Sequence, residues 1–226
     1  MSKVFIAGGS GRVATELIKD LVKDGNKVVA GSRNPEKIIK LDGVSALKLD
    51  LHAEVDEIAK LMDGCDVVYF VAGSRGKDLL QTDAFGAVKT MMVAERDGIE
   101  RYIMLSSMYA LQPRMWSKYK ALAAITDYNI AKFFADNYLI HNTNLAYTIV
   151  QPATLTDEPG TGMVTLGEGD DTTNPIPDVA KILADTLKYK NTIGHIIMMR
   201  SGKTPIEDAL SNIGDPVAYN DAGLAD

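Results

Sequence analysis

Short apolar runs with β-strand composition alternate along this chain with longer stretches of helical periodicity. The predicted strands are Val4–Ala7, Lys27–Ala30, Val44–Leu49, Asp66–Val71, Tyr102–Leu105, Leu145–Val150 and His195–Met199. Helices are predicted between and after them, over residues 13–22, 55–62, 84–96, 121–138, 178–187 and 205–210. Successive strands joined by helices pair in parallel, because each crossover returns the chain to the same edge. The sequence therefore predicts an α/β protein with a doubly wound, mostly parallel sheet.

No low-complexity linker or internal repeat interrupts this alternation. The chain has 226 residues, and a typical domain has roughly 150, so we predict one domain over residues 1–226. Residues 156–177 are rich in Gly, Thr, Asp and Pro, which suggests a small excursion on the substrate side of that domain. The small, polar tail from Asp215 to Asp226 is expected to fray.

Composition excludes several classes of protein. With 24 basic and 30 acidic residues the net charge is −6, which argues against binding to nucleic acid or an anionic membrane. No apolar run approaches the ~20 residues that span a bilayer, and no signal-peptide pattern precedes Gly8. The single cysteine, Cys65, excludes an intrachain disulfide, and the three histidines lie far apart. We expect a soluble, cytoplasmic protein without a metal site.

A glycine-rich segment follows the first predicted strand and opens the first predicted helix. Within it, Gly9, Gly11 and Ala14 fit the pattern G-x-G-x-x-G/A. The first glycines allow a tight turn and a close approach of backbone N–H groups to a pyrophosphate, and the small third residue lets the helix pack on the strand. A glycine-rich turn without this purpose is the alternative. The position between strand and helix favours dinucleotide binding, with contacts from Gly8, Gly9, Ser10, Gly11, Arg12 and Val13.

The end of the second predicted strand distinguishes the two nicotinamide cofactors. An NAD enzyme usually has an acidic residue there for the ribose 2′-OH, whereas an NADP enzyme has a cation for the 2′-phosphate. This chain has Ser32 and Arg33 and no acid at that point. Arg33 can offer two donors to a phosphate, Ser32 a hydroxyl, and Arg12 lies near enough to assist. We predict NADP as the cofactor, with NAD as the alternative.

Tyr128 and Lys132 lie four residues apart in a predicted helix and therefore project from one face. An ammonium group beside a phenol lowers a pKa that starts near ~10, which suits a proton donor to a carbonyl oxygen. The spacing alone is weak because both residue types are common in this chain. Ser106 and Ser107 strengthen it, because they end the fifth predicted strand, where open parallel sheets place ligands.

With these features the chain resembles the short-chain dehydrogenase/reductase superfamily over nearly its whole length. Within that superfamily it is most similar to the atypical NAD(P)H-binding group that includes NmrA-like proteins and biliverdin reductase B/flavin reductases. The resemblance is carried by the glycine-rich segment Gly8–Ala14 and by Leu105–Ser107, Tyr128–Lys132, Tyr147–Ala153 and Glu158–Gly162.

The resemblance implies a role for each matching position. Ser107 would polarise the substrate, Tyr128 would be the acid, and Lys132 would bind the nicotinamide ribose and tune the tyrosine. Further implied cofactor contacts are Asp50 and Leu51 at the adenine, Val71, Ala72 and Gly73 after the fourth strand, and Pro152, Ala153, Thr154 and Leu155 at the nicotinamide amide.

The chain also departs from the family pattern at three places. Ala14 replaces the usual third glycine, which is a mild steric change. Gln151 stands where many relatives have arginine, so the resemblance implies no charged group there. The sequence Val71-Ala72-Gly73 replaces the Asn-Ala-Gly of better-known reductases, so their asparagine proton relay has no counterpart.

These features predict an NADP(H)-dependent oxidoreductase that passes hydride to a small carbonyl, flavin or quinone-like acceptor. An NADP(H)-binding redox-sensing regulator is the alternative, and it would need the glycine loop but neither Tyr128 nor Ser107. Epimerisation or dehydration of a nucleotide sugar also fits the superfamily, although the chain after residue 156 is short for a large substrate domain. We expect a small-molecule substrate and leave the oligomeric state open between monomer and homodimer.

Overall fold

A computed structural model describes residues 1–170 and 172–216 of the chain. Its strands are β1 Lys3–Ala7, β2 Lys27–Ser32, β3 Val44–Lys48, β4 Val67–Phe70, β5 Arg101–Leu105, β6 Ala146–Pro152, β7 Thr154–Thr156, β8 Met163–Leu166, β9 Thr173–Pro175 and β10 His195–Pro205. Its helices are α1 Arg12–Lys23, α2 Val55–Met62, α3 Gly86–Asp97, α4 Pro113–Trp116, α5 Lys120–Ala123, α6 Thr126–His141, α7 Ile176–Asp185 and α8 Ile206–Ser211. Within these residues no helix has the length and apolarity needed to cross a membrane. The predicted fraying of the tail falls mostly outside the described residues.

The strands form one large, mostly parallel sheet in the order β3-β2-β1-β4-β5-β6-β10-β8. Strand β8 runs antiparallel to β10, and β7 pairs with β9 in a separate small sheet. This single α/β domain with a Rossmann-like sheet confirms the predicted fold class. Strands β2 and β3 lie on one side of β1, and β4 and β5 lie on the other, so the strand order reverses between β1 and β4. Such a reversal leaves a crevice at the carboxyl ends of the strands.

Two buried layers cover the sheet because side chains on a strand alternate between its faces. On β1, Val4 and Ile6 belong to one core cluster, whereas Phe5 and Ala7 belong to the other. Helices α1, α7 and α8 complete the first cluster, and α2, α3 and α6 complete the second. Coverage on both faces explains why β4 is apolar without alternation.

The predicted long helix over residues 121–138 is wrong at its start. Helix α5 ends at Ala123, and α6 begins at Thr126 and runs to His141. The carbonyl oxygen of Leu122 accepts hydrogen bonds from the Ile125 N–H at 3.1 Å and from the Asn129 side-chain amide at 3.0 Å. These bonds form a turn over residues 122–125 in place of a further helical turn. Helix α6 then begins at Thr126, directly after this turn.

Three other predicted segments differ at their boundaries. Helix α3 begins at Gly86 rather than residue 84, because Leu79–Phe85 forms a π-helical segment before it. Strand β10 continues beyond Met199 to Pro205, where it pairs with β8. The predicted excursion at residues 156–177 contains β8 and β9 and the start of α7, so much of it is regular structure.

Candidate active site

The glycine loop lies tightly against the ends of the neighbouring strands. Gly8 has a φ of +95°, and a Cβ there would lie 2.5 Å from the Cα of Ala72, so only glycine fits. The N–H groups of Gly8 and Gly9 donate to the carbonyl oxygen of Gly31 at 3.0 and 2.9 Å. Helix α1 then begins at Arg12 without an acidic residue in its first turn or a side-chain cap. Its first N–H groups are therefore available to an anion.

A groove of about 560 Å³ runs along this loop at the reversal of strand order. The predicted cofactor residues that line it are Gly8, Ser10, Gly11, Arg12, Val13, Ser32, Arg33, Leu51, Val71, Ala72, Gly73, Lys132 and Leu155. Its cationic lining comprises Arg12, Arg33, Lys37, Arg75, Lys77 and Lys132, and no carboxylate is among the described residues that line it. A chain with a net charge of −6 thus presents a cationic groove that suits a polyanion.

The far end of the groove combines hydroxyl and cationic groups after β2. The hydroxyls of Ser10 and Ser32 are hydrogen-bonded at 2.6 Å. Arg33 is exposed, and Lys37 follows it at the end of a 3₁₀ turn. Arg12 forms an exposed ion pair with Asp157 at 2.7 Å. Exposed pairs of this kind contribute only about 0–1 kcal/mol, so a phosphate can readily displace the carboxylate.

Five predicted cofactor residues do not line the groove, and two of them, Gly9 and Asp50, line none of the three cavities. Gly9 instead packs against β2, where an added Cβ would lie 2.8 Å from the Ala30 Cβ. The lack of a side chain at Gly9 therefore allows the loop to pack closely on β2. The exposed Asp50 turns its carboxylate to the backbone N–H of His52 at 2.9 Å. That local turn engages one oxygen of the carboxylate, and the contact of Asp50 with the adenine stays a prediction.

A second cavity of about 510 Å³ lies beside the groove, at the carboxyl ends of β5 and β6. Pro152, Ala153 and Thr154, which were expected at the nicotinamide amide, line this cavity rather than the groove. Tyr128, Leu105 and Leu155 line both. A third, more open cavity, between residues 73–79 and 123–128, also includes Tyr128. This tyrosine therefore lies where the three cavities meet.

Burial controls the charge of the tyrosine and lysine on α6. The Lys132 ammonium donates to the carbonyl oxygen of Leu105 at 3.0 Å and lies 5.7 Å from the centroid of the Tyr128 ring. Burial lowers the pKa of Lys132, an effect that Asp83 and Asp136 oppose. Burial also raises the pKa of Tyr128, and the same two carboxylates raise it further. The pKa of Tyr128 is thus shifted opposite to the lowering predicted from the sequence, and this shift favours the neutral phenol.

The two serines after β5 have different bonding. The Ser106 hydroxyl donates a hydrogen bond to Asp136 Oδ2 at 2.6 Å. Ser107 makes only a long hydrogen bond, 3.4 Å, to the Asn129 side-chain oxygen. Both serines line the second cavity together with Tyr128. The hydroxyl of Ser107 is thus the more weakly bonded of the two serine donors.

Asp136 belongs to this site and was missed by the sequence reasoning. It is fully buried on α6 and accepts hydrogen bonds from Ser106 and from Gln151 Nε2 at 3.1 Å. Its Oδ1 has no hydrogen-bond partner among the described residues. Burial raises the pKa of Asp136 to about 6, although Ser106, Lys132 and Gln151 lower it. Its position four residues after Lys132, on the same helix face, was a signal available in the sequence.

Three groove cations were also missed. Lys37 follows Arg33 by four residues, and Arg75 and Lys77 follow β4, on the loop that crosses the groove. These three residues lie outside any strand or helix periodicity. Only their position after parallel strands could have indicated that they line the groove.

The glycine cradle and the carboxylate-free, cationic groove fit a nicotinamide dinucleotide. Residues 8–190 match the family described as NAD(P)H-binding, and the chain belongs to this family. It is thus an NAD(P)H-binding protein with a Rossmann-like fold.

Known proteins agree with this assignment. The crystal structure of the oxidoreductase ylbE from Lactococcus lactis is similar at 40% identity and a TM-score of 0.89, over 93% of this chain and 96% of that one. The "Uncharacterized sugar epimerase YhfK" of Bacillus subtilis is 33% identical over 220 residues, which are 93% of this chain and 100% of that one. An NmrA-like family domain-containing protein of Dictyostelium discoideum is 35% identical over 106 residues, 45% of this chain and 34% of that one. These similarities confirm the resemblance to the NAD(P)H-binding group with NmrA-like proteins.

Proposed function

We propose that this protein is an NADP(H)-dependent oxidoreductase that reduces a small carbonyl, flavin or quinone-like acceptor. The observation that carries the proposal is the position of Tyr128, which lies between a cationic groove and a separate, largely apolar cavity. Such a junction places a proton donor between a cofactor on one side and an acceptor on the other. The name of the Lactococcus lactis relative, an oxidoreductase, supports the same class of activity.

Different residues of the groove would bind different parts of the cofactor. The loop around Gly8 and the first turn of α1 would hold the pyrophosphate. Arg33 and Lys37 would hold the 2′-phosphate, since no carboxylate at the end of β2 competes for a ribose hydroxyl. Lys132 would reach the nicotinamide ribose. When bound, NADPH supplies a hydride, and with it the two electrons that reduce the acceptor.

The residues of the second cavity would then complete the reduction. Ser107 donates a hydrogen bond to the acceptor oxygen, and Tyr128 transfers its proton to that oxygen as it gains charge. The raised pKa of Tyr128 keeps the phenol protonated before the reaction. The open third cavity lets solvent return the proton to Tyr128. A flavin acceptor would not need this acid, because the flavin itself carries the chemistry.

The choice of cofactor is tested by titrating the purified protein with NADPH and NADH and following nucleotide fluorescence. We expect NADPH to bind at least ~10-fold tighter, because one charge-assisted phosphate contact contributes about 1.5–3 kcal/mol. Arg33→Ala should remove most of that difference and leave NADH binding unchanged. Arg114→Ala, an exposed arginine on α4, is the matched control. Equal affinity for both nucleotides in the unaltered protein would overturn the NADP preference.

The role of Tyr128 is tested with Tyr128→Phe, which removes the hydroxyl and keeps the ring. We expect carbonyl reduction to fall by ~100-fold or more while NADPH binding stays within about threefold, because general acid catalysis contributes ~10²–10⁴-fold. Tyr138→Phe, on the same helix but outside the three cavities, is the control. Unchanged carbonyl turnover in Tyr128→Phe would refute the acid role. Nucleotide binding without turnover of any acceptor would favour the redox-sensing regulator instead.

A further inference from the structure

The buried lining of the second cavity is mostly apolar. Apart from the two serines, it includes Met108, Leu122, Pro152 and Ala153, which together are called here the apolar floor. Its volume of about 510 Å³ lies within the ~300–1,000 Å³ that accommodates a small organic ligand.

Few hydrogen-bond donors reach this floor. The Ser106 hydroxyl already donates a hydrogen bond to Asp136, and the Tyr119 hydroxyl is hydrogen-bonded to that of Tyr109 at 3.2 Å. The hydroxyls of Ser107 and Tyr128 remain as donors. Lys120, Thr154 and Thr172 also line the cavity, but they lie at its exposed rim. Among the described lining residues, Lys120 carries the one formal charge, and no carboxylate or amide side chain is present. The cavity can therefore satisfy one oxygen atom at depth and little else that is polar.

This chemistry disfavours two kinds of acceptor. A sugar carries several hydroxyls, and each would lose its water on the apolar floor without gaining a partner. A nucleotide sugar or flavin mononucleotide also carries phosphates, which need cations that the floor lacks. The cations of the molecule lie instead in the neighbouring groove, where the cofactor would occupy them.

We propose, on the basis of the oxidoreductase function above, that the acceptor is an apolar ketone or aldehyde with a body of one or two rings. Its carbonyl oxygen accepts hydrogen bonds from Ser107 and Tyr128, and its hydrocarbon body packs on Met108, Leu122 and Pro152. In the reaction the C=O π bond breaks. The carbonyl carbon gains the hydride supplied by NADPH, its oxygen gains the Tyr128 proton, and an alcohol and NADP⁺ result.

A tryptophan beside the cavity provides a binding signal that is independent of turnover. Trp116 is the single tryptophan of the chain. It packs against the cluster that contains Met108, Leu122 and Ala153, all of which line the cavity. A ligand on the floor should therefore change its fluorescence, which can be followed with NADP⁺ present so that no reduction occurs.

The experiment compares 1-indanone, UDP-glucose and flavin mononucleotide by Trp116 fluorescence and by NADPH oxidation. Ile125→Asp places a carboxylate at an exposed edge of the cavity, because Ile125 lines it and is 41% exposed. Ile130→Asp is the matched control, because Ile130 is 37% exposed on α6 and lines none of the three cavities. Of the three compounds, we expect 1-indanone alone to bind saturably and to support NADPH oxidation. Ile125→Asp should weaken the binding of 1-indanone at least ~10-fold, and Ile130→Asp should leave it unchanged.

The outcomes separate this inference from the proposed function. Turnover of flavin mononucleotide or conversion of UDP-glucose without any response to 1-indanone would overturn the apolar acceptor and leave an active enzyme. Saturable 1-indanone binding that Ile125→Asp weakens, without NADPH oxidation, would support the apolar ligand and overturn the oxidoreductase activity. Equal effects of the two aspartate variants on 1-indanone binding would place the ligand elsewhere and overturn the inference.

Discussion

Burial decides the protonation of the side chains around Tyr128. Taking a group out of water disfavours its charged form, so it raises the pKa of a phenol or carboxyl and lowers that of an ammonium. The structure shows all three shifts on one face of α6, at Tyr128, Lys132 and Asp136. These shifts favour the neutral phenol at Tyr128, whereas the pKa of Asp136, about 6, lies within two units of neutrality.

Asp136 should make the stability of the protein depend on pH. Its pKa is about 6 in the folded chain against an ordinary value of 3.8. Between these values the folded chain binds a proton that the unfolded chain has released, so stability falls as the pH rises through this window. The loss is complete above about pH 6 and, at 1.36 kcal/mol per pKa unit, amounts to roughly 3 kcal/mol.

Asp136→Asn removes this titration and retains an oxygen acceptor for Ser106. The variant should therefore gain stability relative to the unaltered protein as the pH rises from 4 to 7, by roughly 2–3 kcal/mol. Urea unfolding at the two pH values measures the change. Asp127→Asn, at an exposed position on the same helix, should show no such gain. The same stability difference between Asp136→Asn and the unaltered protein at both pH values would contradict the prediction.

At the scale of elements, the turn from β1 to α1 is constrained by the neighbouring end of β4. The backbone at Ala72 approaches Gly8 so closely that no side chain fits between them. The sequence predicted a glycine loop at this position, but its contact with Ala72, some sixty residues away, follows from the parallel pairing of β1 with β4.

Gly8→Ala should therefore destabilise the fold and weaken NADPH binding together. The positive φ costs about 1–2 kcal/mol for a residue with a Cβ, and the clash adds about 1–3 kcal/mol. Gly25→Ala separates the two effects, because Gly25 has a φ of +82° but no atom within 4 Å of an added Cβ. We expect urea unfolding to show the larger loss for Gly8→Ala and fluorescence titration to show weaker NADPH binding in that variant alone. Equal losses of stability in Gly8→Ala and Gly25→Ala would contradict the predicted clash, because the turn would then have moved away from β4.

Other elements show where local patterns stop being informative. The end of α3 before Gly98 was predicted correctly, because that glycine has a φ of +72° and ends the helix locally. The break before α6 was missed, because it depends on a side-chain bond from Asn129 to the Leu122 carbonyl that no periodicity records. Strand β8 was missed as well, since its four residues acquire their partner only where the chain folds back on β10.

Across the whole molecule, charge is distributed very unevenly. The chain is acidic overall, yet its groove is lined by cations that come from the ends of β2 and β4, from α1 and from α6. A parallel sheet brings these ends to one edge, so cations from separate parts of the sequence act on one ligand. The net charge of the chain carries no information about this local concentration of cations.

Local sequence was sufficient to predict the alternation of strands and helices, the parallel fold and the glycine turn. These features depend on side-chain periodicity and on backbone constraints within a few residues. Packing determined the remainder, namely the separation of the cationic groove from the apolar cavity and the pKa of Asp136. Each of these depends on distances and water exclusion between residues far apart along the chain, and such quantities exist only once the chain has folded.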